Sequence, residues 1–465
     1  MKAGKFIIIM TVLVLVAGIA PSVTFAQAYN VSFTTAVTYQ NAGNGTAHIV
    51  AYFYDSPNDT TPIEISRPDL AQGASTSLYI GSLSQIADGF QGSAVFSSDQ
   101  PLIATMVQLP QGSAIVKNRP LSNGFSTGGP TALVATVLKN MFSTNSIFSI
   151  QNVGGSQTTL TLRFYDTSAN LVYQTTQVVE PGAAYYFDAG QQAGLGTSFN
   201  GSAVVESSAA NIVGGVMELS TNAGGTACSA FETVPSGSTL FYMPSALCNY
   251  AGSSTSYAVQ NTSLTNTTYV TVTYSNGAHE TQTIGPGAKK SFLACNATGM
   301  TSNFIGSATI TSSATDVIAI GKAFGSGLST AFVGASSGAS RIACPYVRWA
   351  NNTDWAAGTQ QRVNLTIQNV GGADLAAGAV TVKYIRYDGV QEGSHSLPAI
   401  PMGAKANSNA SNAGLSSFGI YGSVYGGGVL IEGPAGSQLA VVARVSTQAS
   451  PGNYYSEDYN CQPMP

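Results

Sequence analysis

The stretch Ser149-Ile150-Gln151-Asn152-Val153-Gly154-Gly155 decides the reading of the fold, because it returns along the chain. Three further strand-like runs end in the same Gln-Asn pair: Thr38-Tyr39-Gln40-Asn41, Ala258-Val259-Gln260-Asn261 and Thr366-Ile367-Gln368-Asn369. Successive asparagines lie 111, 109 and 108 residues apart. Self-similarity at a fixed period marks a repeated structural unit and takes precedence over any local prediction.

Working outward, each pair leads through a turn into a run ending in aromatic residues, at 49–54, 160–165, 270–274 and 380–387. A Pro-Gly or Gly-Ala turn follows, as in Pro181-Gly182-Ala183, Pro286-Gly287-Ala288 and Met402-Gly403-Ala404. Each unit then reaches a Gly-Ser pair: Gly92-Ser93, Gly201-Ser202, Gly306-Ser307 and Gly422-Ser423. In Thr159-Leu160-Thr161-Leu162-Arg163-Phe164-Tyr165, polar and apolar residues alternate, the period of a half-buried strand. Thr, Val, Tyr and Ile fill such runs, with Gly, Pro, Asn and Ser between them. Units of about 100 residues with some seven strands predict an all-β chain of four tandem immunoglobulin-like β-sandwiches. The expected boundaries are 27–122, 131–234, 239–333 and 341–465, the last with a short polar tail, and the units are expected to sit like beads in a row. The first unit has only residues 28–33 where the others open on a full strand, so its first strand is short or supplied by something else.

Lys2 and Lys5 precede an apolar run at residues 6–20, and Ala26 or Ala28 suits a signal peptidase. Residues 1–26 thus read as a secretory signal peptide, too short in its core for a membrane span, and no transmembrane segment is expected in the mature chain. Only 8% of residues are charged, against about a quarter in ordinary soluble domains. The net charge of −4 becomes −6 once Lys2 and Lys5 are removed. Nucleic acid is excluded as a partner on these grounds. A surface so poor in charge opposes its own copies weakly, and self-association or contact with other surface proteins or glycans is expected.

For an exported chain, the five cysteines read as disulfide partners rather than metal ligands. Cys344 with Cys461 would clamp the fourth unit. Cys248 with Cys295 would tie the third and leave Cys228 over, whereas Cys228 with Cys248 is the rival pairing.

Signals for chemistry are weak. Gly334-Ala335-Ser336-Ser337-Gly338 matches a nucleophile elbow, which requires a strand before it and a helix after it, but the segment reads as a Gly/Ser joint. The three histidines, His48, His279 and His395, fall in different units. Glu457-Asp458 and Asp55 with Asp59 read as solvated loop or tail carboxylates and match no calcium loop. No catalytic residue, metal site or cofactor is expected. Trp349 and Trp355 could form a platform for a sugar ring, or pack at a joint. Glycosylation sequons stand at Asn30, Asn44, Asn58, Asn200, Asn261, Asn266, Asn296, Asn351, Asn364 and Asn409.

Gln-Asn, a glycine turn, Phe53-Tyr54-Asp55 or Phe164-Tyr165-Asp166, then Gly-Ser-Ala-Val with paired serines (92–98 and 201–208) resembles the tandem Ig-like repeats of secreted and cell-surface proteins from filamentous Chloroflexota-type bacteria. The third and fourth units depart from it at Tyr274-Ser275-Asn276 and Ile385-Arg386-Tyr387-Asp388. The resemblance implies sandwiches and an extracellular address, but no activity and no functional residue. The expected function is that of an exported, non-enzymatic structural or adhesive protein of the cell surface or matrix, in a layer, filament or adhesin; an array of carbohydrate-binding modules is the alternative.

Overall fold

The structure, a computed structural model, describes residue 29 and residues 32–111, 118–221, 228–325, 328–450 and 453–464. The signal-peptide reading and the Asn30 sequon lie outside them. The chain is all-β, and its antiparallel sheets follow one another in facing pairs. In the second pair the strands run Thr131–Lys139, Thr144–Asn152, Thr158–Asp166, Leu171–Val179, Ala184–Asp188, Phe199–Ser207, Ile212–Ser220 and Cys228–Glu232. Its two sheets have the orders fourth-third-sixth-first and fifth-second-seventh-eighth. The third pair, from Leu240–Cys248 to Leu328–Val333, repeats both orders, and the fourth repeats them with an added edge strand, Gln462–Pro463. The layering is that of a sandwich; the first strand lies beside the sixth and the seventh beside the second.

Each pair encloses inward residues of both sheets. In the second, Phe164 stacks on Phe187 with ring centroids 4.8 Å apart, and Phe148 stacks on Phe187 at 4.8 Å. All three rings are fully buried, each stabilising the fold by roughly 1.5–3 kcal/mol.

The Gln-Asn anchor has a structural cause. Asn152 ends its strand buried, its Nδ2 donating to the carbonyls of Ser156 (2.8 Å) and Val179 (3.1 Å) while its Oδ1 accepts from the Gly154 N–H (2.9 Å). Asn41 does the same with Gly45, Leu70 and Gly43, Asn261 with Asn266, Ile284 and Ser263, and Asn369 with Ala373, Ile400 and Gly371. One short amide thereby closes the turn after the second strand and holds it to the end of the fourth.

The preceding glutamine and the Gly-Ser pair join units. Gln151 Nε2 donates to the carbonyl of the turn residue Gly182 (2.8 Å), and Ser93 of the pair before donates to that same oxygen (2.7 Å). Gly287 accepts from Gln260 and from Ser202, and Gly403 accepts from Gln368 and from Ser307. The series then closes on itself. Gln40 donates to the Gly73 carbonyl (3.1 Å), and the fourth pair supplies Gly428, whose added Cβ would lie 2.7 Å from the Gln40 side chain. Next to it, the Gly427 N–H donates to Ser75 Oγ (2.8 Å). The glycine before each serine is obligatory for close approach: a Cβ at Gly92 would sit 1.8 Å from the Tyr54 carbonyl oxygen, and one at Gly201 2.1 Å from that of Tyr165.

The units are therefore not beads in a row; the fourth docks on the first. The eighth strands, Leu121–Asn123, Cys228–Glu232, Leu328–Val333 and Asn453–Asn460, pack in a ring at the centre. Asn453–Asn460 corrects the expectation of a polar tail, for it pairs along Leu439–Ser450. The fourth Gly-Ser anchor is also corrected. Gly422-Ser423 forms the turn of a small hairpin between Ile420–Tyr421 and Val424–Tyr425. The sixth strand is Gly427–Glu432, in which Gly428 opposite Ile385 takes the place of Ser202 opposite Tyr165.

Removing the anchor amide takes this partner from the buried Val179 carbonyl and from the part-buried Ser156 carbonyl and Gly154 N–H. Asn152→Ala is expected to lower stability by roughly 2–4 kcal/mol, read from the denaturant midpoint, whereas the exposed Asn266→Ala changes it by less than about 0.5 kcal/mol.

Candidate functional site: a polar hub

At the centre, strand ends rich in Asn, Asp and Glu are buried because their partners come from other sheet pairs. Asn123 donates through Nδ2 to the Asn460 carbonyl (2.7 Å), and its backbone N–H donates to the Glu232 carboxyl. Asn460 forms a two-point contact with Val333, donating to its carbonyl (2.7 Å) and accepting from its N–H (2.9 Å). One layer further, Arg444 holds Asp458 through two 2.8 Å bonds, and Thr330 donates to the same carboxylate (2.7 Å). Asn118 donates to the carbonyls of Ser329 and Ser456, and the Arg119 N–H to Glu457. Lys322 of the third pair reaches Glu218 of the second at 2.6 Å.

Glu457-Asp458, read from sequence as a solvated pair, is thus buried. A polar strand looks like a tail when its partners are more than a hundred residues away. Burial pushes the Glu232 carboxyl up to about 7 and Glu457 up to about 8. It also lowers two lysines at the junctions, Lys289 to about 7 and Lys405 to about 8. Beside the hub, Asn123, Glu232, Val333, Asn460 and the joints around Pro235 and Gly334 line a cavity of about 300 Å³.

The disulfides are Cys248–Cys295 and Cys344–Cys461, with Cα separations of 5.0 and 4.6 Å. Cys228 is unpaired and buried in the hub, where desolvation raises its thiol well above its ordinary range; the rival Cys228–Cys248 bridge is not formed.

The remaining sequence candidates are dispersed. Ser336 is exposed in a joint that leads into the strand Arg341–Cys344 and not into a helix. His48 bonds Asp69 (2.9 Å) on the surface. His395, whose pKa is lowered by burial, has Nε2 2.8 Å from Ser408 Oγ, a contact no sequence pattern announced. That hydroxyl is buried beside the Tyr384 phenol (3.0 Å). Asp59 accepts from the N–H groups of Asp55 and Thr61, as a loop cap does. Among the described residues, no cluster of three or more His, Cys, Asp or Glu side chains could hold a metal ion.

The two tryptophans clasp Arg362, whose guanidinium lies 4.7 Å from the Trp349 ring and 5.1 Å from the Trp355 ring. Trp349 is buried and exchanges backbone hydrogen bonds with Phe418. Among the sequons, Asn44, Asn58, Asn266, Asn296 and Asn364 are exposed; Asn200, Asn351 and Asn409 are half-buried, the last two capping short helices. Asn261 is an anchor amide and fully buried, with no room for a glycan.

The hub carboxyls predict a pH dependence. Glu232 and Glu457 have an ordinary pKa of 4.5 in the unfolded chain, and the folded chain retains their protons to about 7 and 8. Their contribution is whole below 4.5 and is lost as pH rises through 7 and 8, when the closed hub must take on charge. In denaturant titrations, Glu232→Gln and Glu457→Gln chains should gain on the parent between pH 5 and pH 9, each by on the order of 3 kcal/mol. A difference independent of pH would contradict the assignment. Trp349→Ala should lower stability by roughly 3–5 kcal/mol in the same assay.

Comparison with models of known protein families finds no match, and comparison with curated proteins finds none either.

Proposed function

We propose that the chain is an exported, non-enzymatic structural or adhesive protein that works at the cell surface or in the matrix. The observation that carries this reading is the division of its polar groups. The buried Asn, Gln, Glu, Asp and Arg side chains join one sheet pair to the next, while the outer rim presents sheet edges with little charge. Along the edge strand Leu171–Val179, Leu171, Val172 and Val178 are exposed, and in the third pair Tyr269, opposite Thr283 of the edge strand His279–Ile284, is 62% exposed. Such edges suit lateral contact with other copies or with surface partners. Two disulfides support an oxidising compartment, and no described helix is long and apolar enough to cross a membrane.

Negative-stain electron microscopy and sedimentation of residues 27–465 test the reading. Ordered assemblies, or saturable binding to the producing cells, are expected. A monodisperse chain that binds neither copies nor cells, or a hydrolytic activity lost in Ser336→Ala, would contradict it.

A further inference from the structure

Among the described residues, the first sheet pair is one strand short. In the second, third and fourth pairs the sixth strand (Phe199–Ser207, Phe304–Ser312 or Gly427–Glu432) lies between the third strand and the first. In the first pair the corresponding strand, Ser93–Ser98, pairs with Ile49–Tyr54 on one side and, among the described residues, with no strand on the other.

The core records the gap. Ala203 and Val205 are fully buried beside the first strand Thr131–Lys139, with Val134 opposite Ala203 and Ala132 opposite Val205. Ala94 and Phe96 hold the equivalent places in the first pair and are only half-buried, as are Phe90, Ile86 and Ile80 around them. The edge also lacks the devices by which sheet edges avoid pairing: Ser93-Ala94-Val95-Phe96-Ser97-Ser98 contains no charge and no proline, and its register against Ile49–Tyr54 is unbroken.

The chain itself specifies what fits. In the second pair, Ala132 and Val134 face the core from the first strand; in the third, Phe241, Met243 and Ala246 do so from Leu240–Cys248. Both strands have nine residues and run antiparallel to the sixth. Counted from the Gln-Asn anchor, the matching place before Asn41 is residues 20–28, on the leader side of a cleavage after Ala28. Beyond that point, the Tyr29 hydroxyl is bonded to Asp188 of the second pair (2.9 Å), and Tyr29 and Phe33 pack beside Leu219 and Cys228 there. The start of the described chain is therefore tied to the neighbouring pair.

We propose that the Ser93–Ser98 edge receives a strand donated in trans by another polypeptide. The donor is an extended segment of about nine residues with apolar side chains at alternate positions, running antiparallel to Ser93–Ser98. This deepens the structural reading above and rests on removal of the leader. Strand addition would complete the sandwich and bury Ala94 and Phe96.

The test uses residues 29–465 and a synthetic peptide with the sequence of residues 131–139, Thr-Ala-Leu-Val-Ala-Thr-Val-Leu-Lys. Saturable one-to-one binding is expected, with amide exchange at residues 93–98 slowed roughly tenfold or more. A peptide N-methylated at the amides facing that edge should not bind. No uptake with unchanged exchange, or equal binding of the N-methylated peptide, overturns the proposal. So does a peptide-free dimer in which residues 93–98 are already protected, since the occupant is then a second copy pairing edge to edge. Amino-terminal sequencing of the exported protein tests the premise: a start at residue 27 or 29 upholds it, and a start at or before residue 20 assigns the place to the chain's own segment and overturns donation in trans. Failure of peptide binding leaves the electron-microscopic test of the functional reading untouched, so the two are separable.

Discussion

Everything in this architecture depends on one buried pair of amides. The asparagine closes the turn inside its own sheet pair, and the glutamine before it holds a glycine carbonyl that the preceding pair's serine also reaches. A buried carbonyl has two lone pairs, and both are used. Because the second donor comes from a different unit, the feature that folds each unit also docks it. With the same arrangement at successive units, the direction from one to the next is set each time, and the fourth junction returns to the first.

Closing the ring brings the eighth strands together and buries the polar side chains that they carry. A carboxylate or amide in such a place is costly unless paired, and several hub contacts cross a boundary between pairs: Asn460 with Val333, Asp458 with Thr330, Glu218 with Lys322. None of these bonds can form in an isolated unit. The hub thus makes the sheet pairs cooperative, and it keeps Glu232 and Glu457 protonated where solvent-exposed carboxyls would be charged.

The strands, the Gln-Asn anchors and the Cys344–Cys461 disulfide were legible because each is local or periodic: alternation marks a strand, and Cys344 and Cys461 lie at the two ends of one unit, whereas the partner of Cys248 stayed open between Cys295 and Cys228. The ring was not legible. Its contacts use the same Gln, Ser and Gly that already make sense within a unit, so nothing in the pattern announces a second role. Glu457-Asp458 reads as a tail for the same reason, its partners Arg119 and Thr330 being distant in sequence. In the fourth unit the serine of the anchor is replaced by Gly428, and the eye is drawn to Gly422-Ser423 instead, whose backbone makes a hairpin. The expected short start of the first unit falls largely outside the described residues; beside it, Ala94 and Phe96 are only half-buried.

Closure of the ring can be read from small-angle X-ray scattering of the mature chain in dilute solution. A closed ring should give a radius of gyration of roughly 22 Å, the value for a compact chain of this length. Four sandwiches strung in a row, each with a radius of roughly 13 Å, would give roughly 40 Å or more. The smaller value, unchanged when the concentration is lowered, is expected; the larger one would mean that the ring is open.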